Sequence, residues 1–424
     1  MKIHISNGRV VDPASGTDAK QDVYIEAGRI TGIGDVPAGF KAGRVIDARG
    51  LVVAPGLVDL SARLREPGFE YKATLETELG AAVAGGVTSL ACPPDTDPPL
   101  DEPGLVEMLR HSARGLDLAH VHPVGALTAK LGGERLTEMV LLREAGCVAF
   151  SQADVALPDT QVLWRAMQYA STFGFALWLR PQDGFLARDG VAHDGDVATR
   201  LGLAAIPSFA ETIAIETALA LVRDTGARVH FQRLSTARGV ELLRRAKAEG
   251  LPVSGDVSAH HAHLSEMDLG YFDSLCHVIP PFRSARDRDA LREGLADGTL
   301  DAMCSDHAPV DEDTKLMPFA ESEPGATGLE LLLPLALKWG TGMRLPLAKT
   351  LGVVTDRPAR ILGSEAGRLA VGQPADLCVF DAEAMVRVSA DTLKSQGHNT
   401  PFLGIELPGR VRCTLVGGRV VYEG

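Results

Sequence analysis

Leu57-Val58-Asp59-Leu60-Ser61-Ala62-Arg63-Leu64-Arg65 is the stretch on which the fold turns. Its first four residues form a short, mainly apolar run, too brief for a helix and suited to a strand buried on both faces. Seven comparable runs follow: Val87–Ala91, Ala119–Val124, Cys147–Phe150, Phe175–Leu179, Arg228–Gln232, Pro252–Val257 and Leu300–Cys304. Between several of them lie amphipathic stretches with helical period, namely Leu136–Ala145, Gln161–Thr172, Glu211–Thr225 and Val240–Glu249. Gly86, Gly146, Gly174, Gly226 and Gly250 stand between helix and strand, where a helix C-cap belongs. Eight buried strands alternating with helices over about 300 residues predict an α/β chain folded as a (β/α)8 TIM barrel, with a doubly wound open sheet as the alternative.

In such a barrel the functional groups follow the C-terminal ends of the strands. Those positions hold Ser61, Arg63 and Arg65 after the first strand, Cys92 and Asp95 after the second, and Ser151 and Gln152 after the fourth. Arg180 ends the fifth and Arg233 the sixth; His260, His261 and His263 follow the seventh, and Asp306 and His307 the eighth. The mouth is therefore rich in arginine and poor in carboxylate at the strand ends.

Outside the barrel both ends of the chain read as β-structure. Residues 2–12 look like a hairpin turning at Asn7-Gly8, and Val23-Tyr24-Ile25 with Arg29-Ile30 like a second, turning at Ala27-Gly28. The strand Asp376–Phe380 and a hairpin from Val411 to Val421, turning at Gly417-Gly418, close the chain. Arg-Val-Val follows the turn at both ends, at 9–11 and 419–421. Two β segments flanking an α/β block most simply pair with each other. The expectation is a split β-sandwich domain from residues 1–54 and 366–424 around a barrel of residues 55–365.

The charge sum of 42 basic and 55 acidic residues is −13, which argues against a nucleic-acid partner. No apolar stretch is long enough to span a membrane, and the amino terminus lacks the apolar core of a signal peptide. Six cysteines without C-x-x-C spacing read as reduced thiols of a cytoplasmic protein.

Several motifs carry a resemblance. Ala54-Pro55-Gly56-Leu57-Val58-Asp59-Leu60 followed by Leu64-Arg65-Glu66-Pro67-Gly68, then Pro280-Pro281-Phe282-Arg283, Ser305-Asp306-His307-Ala308-Pro309, Gly372–Leu377 and Asn399-Thr400-Pro401-Phe402, resembles the dihydroorotases of the amidohydrolase superfamily over essentially the whole chain. That resemblance implies a zinc pair which activates a bridging hydroxide. The chain departs from the pattern at the metal. Where the family has His-x-His it has Ser61 and Arg63. The bridging carboxylate falls at Gln152, the two later histidines fall at Arg180 and Arg233, and only Asp306 remains. Arginine has no acceptor and no accessible neutral form, so it cannot ligate zinc, and three guanidinium groups oppose a divalent cation. Metal binding is expected to be lost, with no other cofactor. Of the substrate-binding residues, Arg65 matches the family's carboxylate-gripping arginine, although it could equally hold its loop through Glu66. Pro94, Ile279 and Val310 stand where the family has polar groups.

Without a metal, Asp306 requires another cation, so Arg63, Arg180 or Arg233 is expected to pair with it. Asp154 and Asp183 are further candidate partners for the arginines. His261 and His263, with His230 or His307, form the alternative of a relocated metal site; otherwise His260, His261, His263 and His307 are loop or supporting residues. Cys92 or Ser61 as a nucleophile lacks a recognisable base. The resemblance is strongest to non-catalytic dihydroorotase-like chains that associate with aspartate carbamoyltransferase. It implies an oligomeric assembly subunit in pyrimidine (UMP) biosynthesis. The alternatives are an active cyclic-amide hydrolase with an altered metal site, and a protein that binds an anionic metabolite at its arginine-rich mouth.

Overall fold

The computed structural model describes residues 2–424. Eight parallel strands, β1 (Leu57–Asp59), β2 (Val87–Cys92), β3 (His120–Ala126), β4 (Ala149–Ser151), β5 (Ala176–Leu179), β6 (Arg228–Phe231), β7 (Val253–Ser258) and β8 (Ala302–Cys304), lie side by side in chain order. The two edges of this sheet meet just beyond the strands. Ala62 bridges His307, Arg63 N donates to His307 O at 2.9 Å, and His307 N donates to Ser61 O at 3.1 Å. The fold is thus the expected TIM barrel, closed at its mouth rather than along β1 and β8.

The eight apolar runs became strands that are buried on both faces along most of their length, with exposure at N-terminal residues such as His120 and Arg228. In β5, Leu177 packs outward with Met167 and Ala170 of the helix Thr160–Phe173. Trp178 points inward with Val58, Leu60, Val124, Ala149, Ala302 and Cys304. The four amphipathic stretches form helices at Met139–Ala145, Thr160–Phe173, Phe209–Thr225 and Ala237–Ala248. The first begins later than its periodicity indicates. Leu136 pairs with Thr128, and the Thr137 hydroxyl donates to Ala126 O at 2.7 Å, which ties that segment to the loop after β3. Gly146 and Gly174 end their helices in the left-handed region, at φ 115° and 69°, where a side chain would be strained. Helix Asp356–Leu362 inserts Ala359 and Leu362 beneath the barrel interior and plugs its floor.

Of the remaining strands, Ala192–His193 and Ala205–Ile206 pair as a short two-stranded sheet between β5 and β6, and the others form two larger sheets. One runs Arg29–Ile33, Val23–Glu26, Lys2–Ser6, Arg44–Asp47. The other runs Arg419–Glu423, Glu406–Val416, Leu377–Arg387, Val52–Pro55, Arg9–Asp12, Thr17–Lys20, so both ends of the chain supply it. Ile3, Ile5 and Ile25 of the first sheet share a core with Val10, Val53, Val379 and Leu415 of the second. The turns at Ala27-Gly28 and Gly417-Gly418 close hairpins, pairing Glu26 with Arg29 and Val416 with Arg419.

The turn at Asn7-Gly8 corrects the reading: its flanking strands enter different sheets. Asn7 is left-handed (φ 64°), its backbone N donates to Asp22 Oδ1 and its side-chain amide to Asp47 Oδ1, both at 3.0 Å. A Cβ on Gly8 would come within 2.5 Å of Val53 Cγ2. The dipeptide is a corner from one sheet to the other, and Arg9 pairs with the remote Val52. The two Arg-Val-Val segments lie in one sheet without being neighbours.

Candidate functional site

The strand ends bring Arg63, Arg180, Arg233 and Asp306 together at the barrel mouth. Arg233 contacts Asp306 Oδ1 through Nη1 at 2.8 Å, and Arg63 reaches the same oxygen through Nη1 at 3.4 Å. The expected ion pair with Asp306 is therefore made twice. A second carboxylate, Asp154, gathers all three arginines: Arg63 Nη2 at 2.5 Å, Arg233 Nη2 at 2.5 Å and Arg180 Nε at 2.7 Å. Arg63 Nε also donates to Asp95 Oδ2 at 2.7 Å. Three guanidinium groups thus face three carboxylates. The arginine side chains retain only 3–7% of their exposure, whereas Asp154 keeps 33% and forms the outer lid of the cluster.

The ionisation of the carboxylates follows from this arrangement. Burial penalises the charged form of Asp154, but Arg233, Arg63 and Arg180 outweigh it and hold the group well below the usual carboxylate range. Burial likewise opposes ionisation of Asp306, and Arg233, His260 and Arg63 bring it down to about 2. His260 Nε2 lies 3.5 Å from Asp306 Oδ2. The backbone is unusual at the same place: Arg65, Ala153, Arg233 and Asp306 all have positive φ, at 63°, 50°, 53° and 48°. Left-handed non-glycine residues cost of order 1 kcal/mol each and persist where their surroundings over-determine them; here the ion-pair cluster and the closing bridge do so.

Beneath the mouth the barrel interior carries a thread of polar contacts. Asp256 Oδ1 accepts from Arg233 N at 2.6 Å, and its Oδ2 lies 2.9 Å from His230 Nε2. His230 Nδ1 in turn lies 2.8 Å from Ser254 Oγ. His230 is thus a hydrogen-bonded strand residue, as its position in the sequence indicates.

The other singled-out residues are occupied elsewhere. Gln152 accepts from Thr128 Oγ1 at 2.9 Å and donates to Leu131 O at 2.7 Å, bracing the neighbouring loop. Ser61 Oγ is buried with no partner. Arg65 does not hold Glu66: its Nε donates to Pro309 O at 2.8 Å, while Glu66 accepts from Leu75 N. Asp183 pairs with no arginine and accepts from Phe185 N and Leu186 N instead. Burial pushes the Cys92 thiol up to about 12, far from a thiolate nucleophile.

The histidines do not converge. His261 packs against Ser258 Oγ (2.6 Å), and His263 Nε2 faces Leu335 O (2.9 Å). His307 Nδ1 accepts from Gly328 N at 3.1 Å, so its Nε2 donates to Glu78, 2.5 Å away. A zinc pair does not fit this site: of the six mouth positions only Asp306 is an anionic donor, and Arg233 and Arg63 already bind it. Among the described residues no three His, Cys, Asp or Glu side chains gather to hold a metal ion.

The sequence reading placed Asp95 at the mouth without a role and offered Asp154 only as one candidate partner. The available signal was charge balance: three buried arginines need more than one carboxylate, and these two stand in the loops directly after β2 and β4.

Comparison with known proteins places this geometry. Residues 50–238 match the Dihydro-orotase-like family and residues 153–422 the Amidohydrolase family. The chain is 48% identical to a dihydroorotase-like protein of Pseudomonas aeruginosa, covering 100% of both chains. It is 45% identical to a dihydroorotase-like protein of Pseudomonas putida, over 100% of this chain and 99% of the relative. A dihydroorotase of Syntrophotalea carbinolica is 40% identical over 100% of this chain and 99% of its own. Among solved structures, an L-hydantoinase from Arthrobacter aurescens superposes with a TM-score of 0.88 at 26% identity, covering 99% of this chain and 96% of its own.

Proposed function

Because the chain belongs to the dihydroorotase-like amidohydrolases, we propose that it keeps their fold without their metal chemistry and serves as a structural subunit that assembles with aspartate carbamoyltransferase in the synthesis of UMP. The observation that carries this reading is the mouth cluster. Arg63, Arg180 and Arg233, closed on Asp95, Asp154 and Asp306, leave no set of donors for a cation. Guanidinium groups can bind charge, but they neither coordinate a hydroxide nor act as a Lewis acid. A cyclic-amide hydrolase with a relocated metal would draw on His261, His263 and His307, and each of these is committed to a different partner.

Support for a partner comes from the loops after β7 and β8. Met267, Tyr271, Phe272, Leu316 and Met317 are exposed, Tyr271 to 88% and Leu316 to 83%. The two loops are fastened together by Lys315, whose Nζ donates to Ser274 O at 3.0 Å and His277 O at 3.1 Å. Exposed apolar side chains gathered in this way are characteristic of protein-binding surfaces.

The test is recovery of the tagged full chain from a lysate of its own cells, with metal analysis of the same sample. A carbamoyltransferase chain in stoichiometric amount and zinc far below one ion per chain are expected. Two tightly bound zinc ions per chain together with dihydroorotate turnover would overturn the proposal.

A further inference from the structure

The end of the barrel opposite the mouth contains a cavity of about 420 Å³, within the size range of small-molecule sites. Its walls are the beginnings of β5, β6 and β7 and the floor helix Asp356–Leu362. The charge in it is unbalanced. Arg360 pairs with Asp356, and Lys247 pairs with Asp301 at 2.7 Å, so these four groups cancel. Arg228 and Arg357 remain, and among the described residues neither forms an ion pair with a carboxylate. Arg228 donates only to Gly174 O, at 2.7 Å, and the buried Nη1 of Arg357 has no hydrogen-bond partner. Neither guanidinium group is neutralised by a carboxylate, although the chain as a whole carries a net charge of −13.

The base of the cavity is polar. Ser254 and His230 line it and contact each other at 2.8 Å, and Ile361 and Pro252 add apolar wall. Two guanidinium groups suit an oxyanion with several acceptor oxygens, because arginine's planar fork binds carboxylate and phosphate through paired hydrogen bonds. We propose that this floor cavity is a binding site for a small molecule bearing a phosphate or carboxylate group, held by Arg228 and Arg357. The site is separate from the mouth cluster and independent of any partner protein.

The experiment titrates the full-length protein with sodium orthophosphate and, separately, with succinate, against potassium chloride of matched ionic strength. Binding is read by calorimetry and by tryptophan fluorescence, since Trp178 lines the cavity. Expected is saturable binding of at least one of the two probes, with Kd on the order of 1 mM or tighter. Orthophosphate alone would identify a phosphate ligand and succinate alone a carboxylate ligand.

Arg228→Gln and Arg357→Gln should each weaken binding about tenfold or more, the loss of one charge-assisted contact. Arg165→Gln, an exposed cation on a helix flanking β4 and β5, should leave binding unchanged. If Arg357→Gln does not fold, Arg228→Gln carries the test alone, since Arg228 is exposed at the start of its strand. A response to both probes indistinguishable from that to potassium chloride, or binding unchanged in Arg228→Gln, would overturn the proposal.

Discussion

Arg233 and Asp306 are the pair on which the account of the mouth can be tested most sharply. Arg233→Met removes a side chain that is 3% exposed and leaves Asp306, 5% exposed, with Arg63 at 3.4 Å and the His260 ring at 3.5 Å as its remaining neighbours. Breaking a buried ion pair from one side costs about 3–5 kcal/mol, because a charge is left buried without its partner. Asp306→Asn should cost less, about 2–3 kcal/mol, because Arg233 keeps Asp154 at 2.5 Å. The double variant removes the orphaned charge together with its partner and should fall short of the sum by at least about 2 kcal/mol. In a chain this large each kcal/mol moves the melting temperature by about 2 °C. Arg233→Met should therefore melt about 6–10 °C below the wild type, with a coupling of about 4 °C or more in the cycle. The assay is thermal unfolding of all four proteins at one scan rate and pH 7, after confirming equal hydrodynamic size. Additive losses, or an Arg233→Met protein as stable as the wild type, would refute the idea that these charges hold each other in the mouth.

Acid should weaken the same cluster. Asp306 is depressed in the folded chain to about 2 from an ordinary value of 3.8. Its contribution, about 2 kcal/mol, is present above pH 4 and is lost as pH falls toward 2; Asp154 acts in the same direction. A pH series of melting temperatures should show this slope in the wild type and a shallower one in Asp306→Asn. Restoring histidine at positions 61 and 63 together should bring neither stoichiometric zinc nor dihydroorotate turnover, because Gln152, Arg180 and Arg233 still supply no ligand. Gly86→Ala should lower stability by about 2 kcal/mol or more, measured by denaturant unfolding, since Gly86 has φ +80° and a Cβ there would collide with Cys378 Sγ. Tyr271→Glu with Leu316→Glu should abolish recovery of the carbamoyltransferase chain and leave the melting temperature within about 1 °C of wild type, because exposed sites contribute little to folding.

The barrel was legible because a strand buried on both faces writes itself as an apolar run, and all eight runs from Leu57–Leu60 to Leu300–Cys304 did so. The Asn7-Gly8 corner was not legible. The dipeptide's local preference is the same for a hairpin and for a change of sheet, and the choice lies with Asp22, Asp47 and Val53, which are distant in sequence. At the mouth, barrel geometry alone placed Arg63, Arg180, Arg233 and Asp306 together. It did not predict the central role of Asp154. That role depends on Ala153 taking a left-handed turn (φ 50°) beside Asp154, a conformation no rule about alanine would anticipate. Nor did the sequence indicate that Arg65 would spend its guanidinium on a backbone carbonyl, since Glu66 stands next to it and is drawn away by the amide of Leu75.

The arginine cluster solves the electrostatic problem that a barrel mouth with a buried Asp306 poses, and the manner of the solution bears on function. Neutralising a buried carboxylate requires positive charge at about 3 Å, and a metal ion or a guanidinium group can supply it. The two differ in what they leave available. A metal ion with an open coordination position retains Lewis acidity toward a water or an amide oxygen. A guanidinium group is used up by the contacts it makes. Here Arg63 is divided among Asp95, Asp154 and Asp306, Arg233 between Asp154 and Asp306, and Arg180 is held by Asp154. The closure is also mutual, because each arginine is held in place by carboxylates that would repel one another without it. Replacing one arginine by histidine would therefore leave the remaining two to compete for the same carboxylates, and the site would relax toward a smaller ion-pair cluster sooner than open for a cation. On the proposed scaffold reading the cluster would supply rigidity, which a chain requires if loops bearing the exposed Tyr271 and Leu316 are to present a fixed surface to another protein.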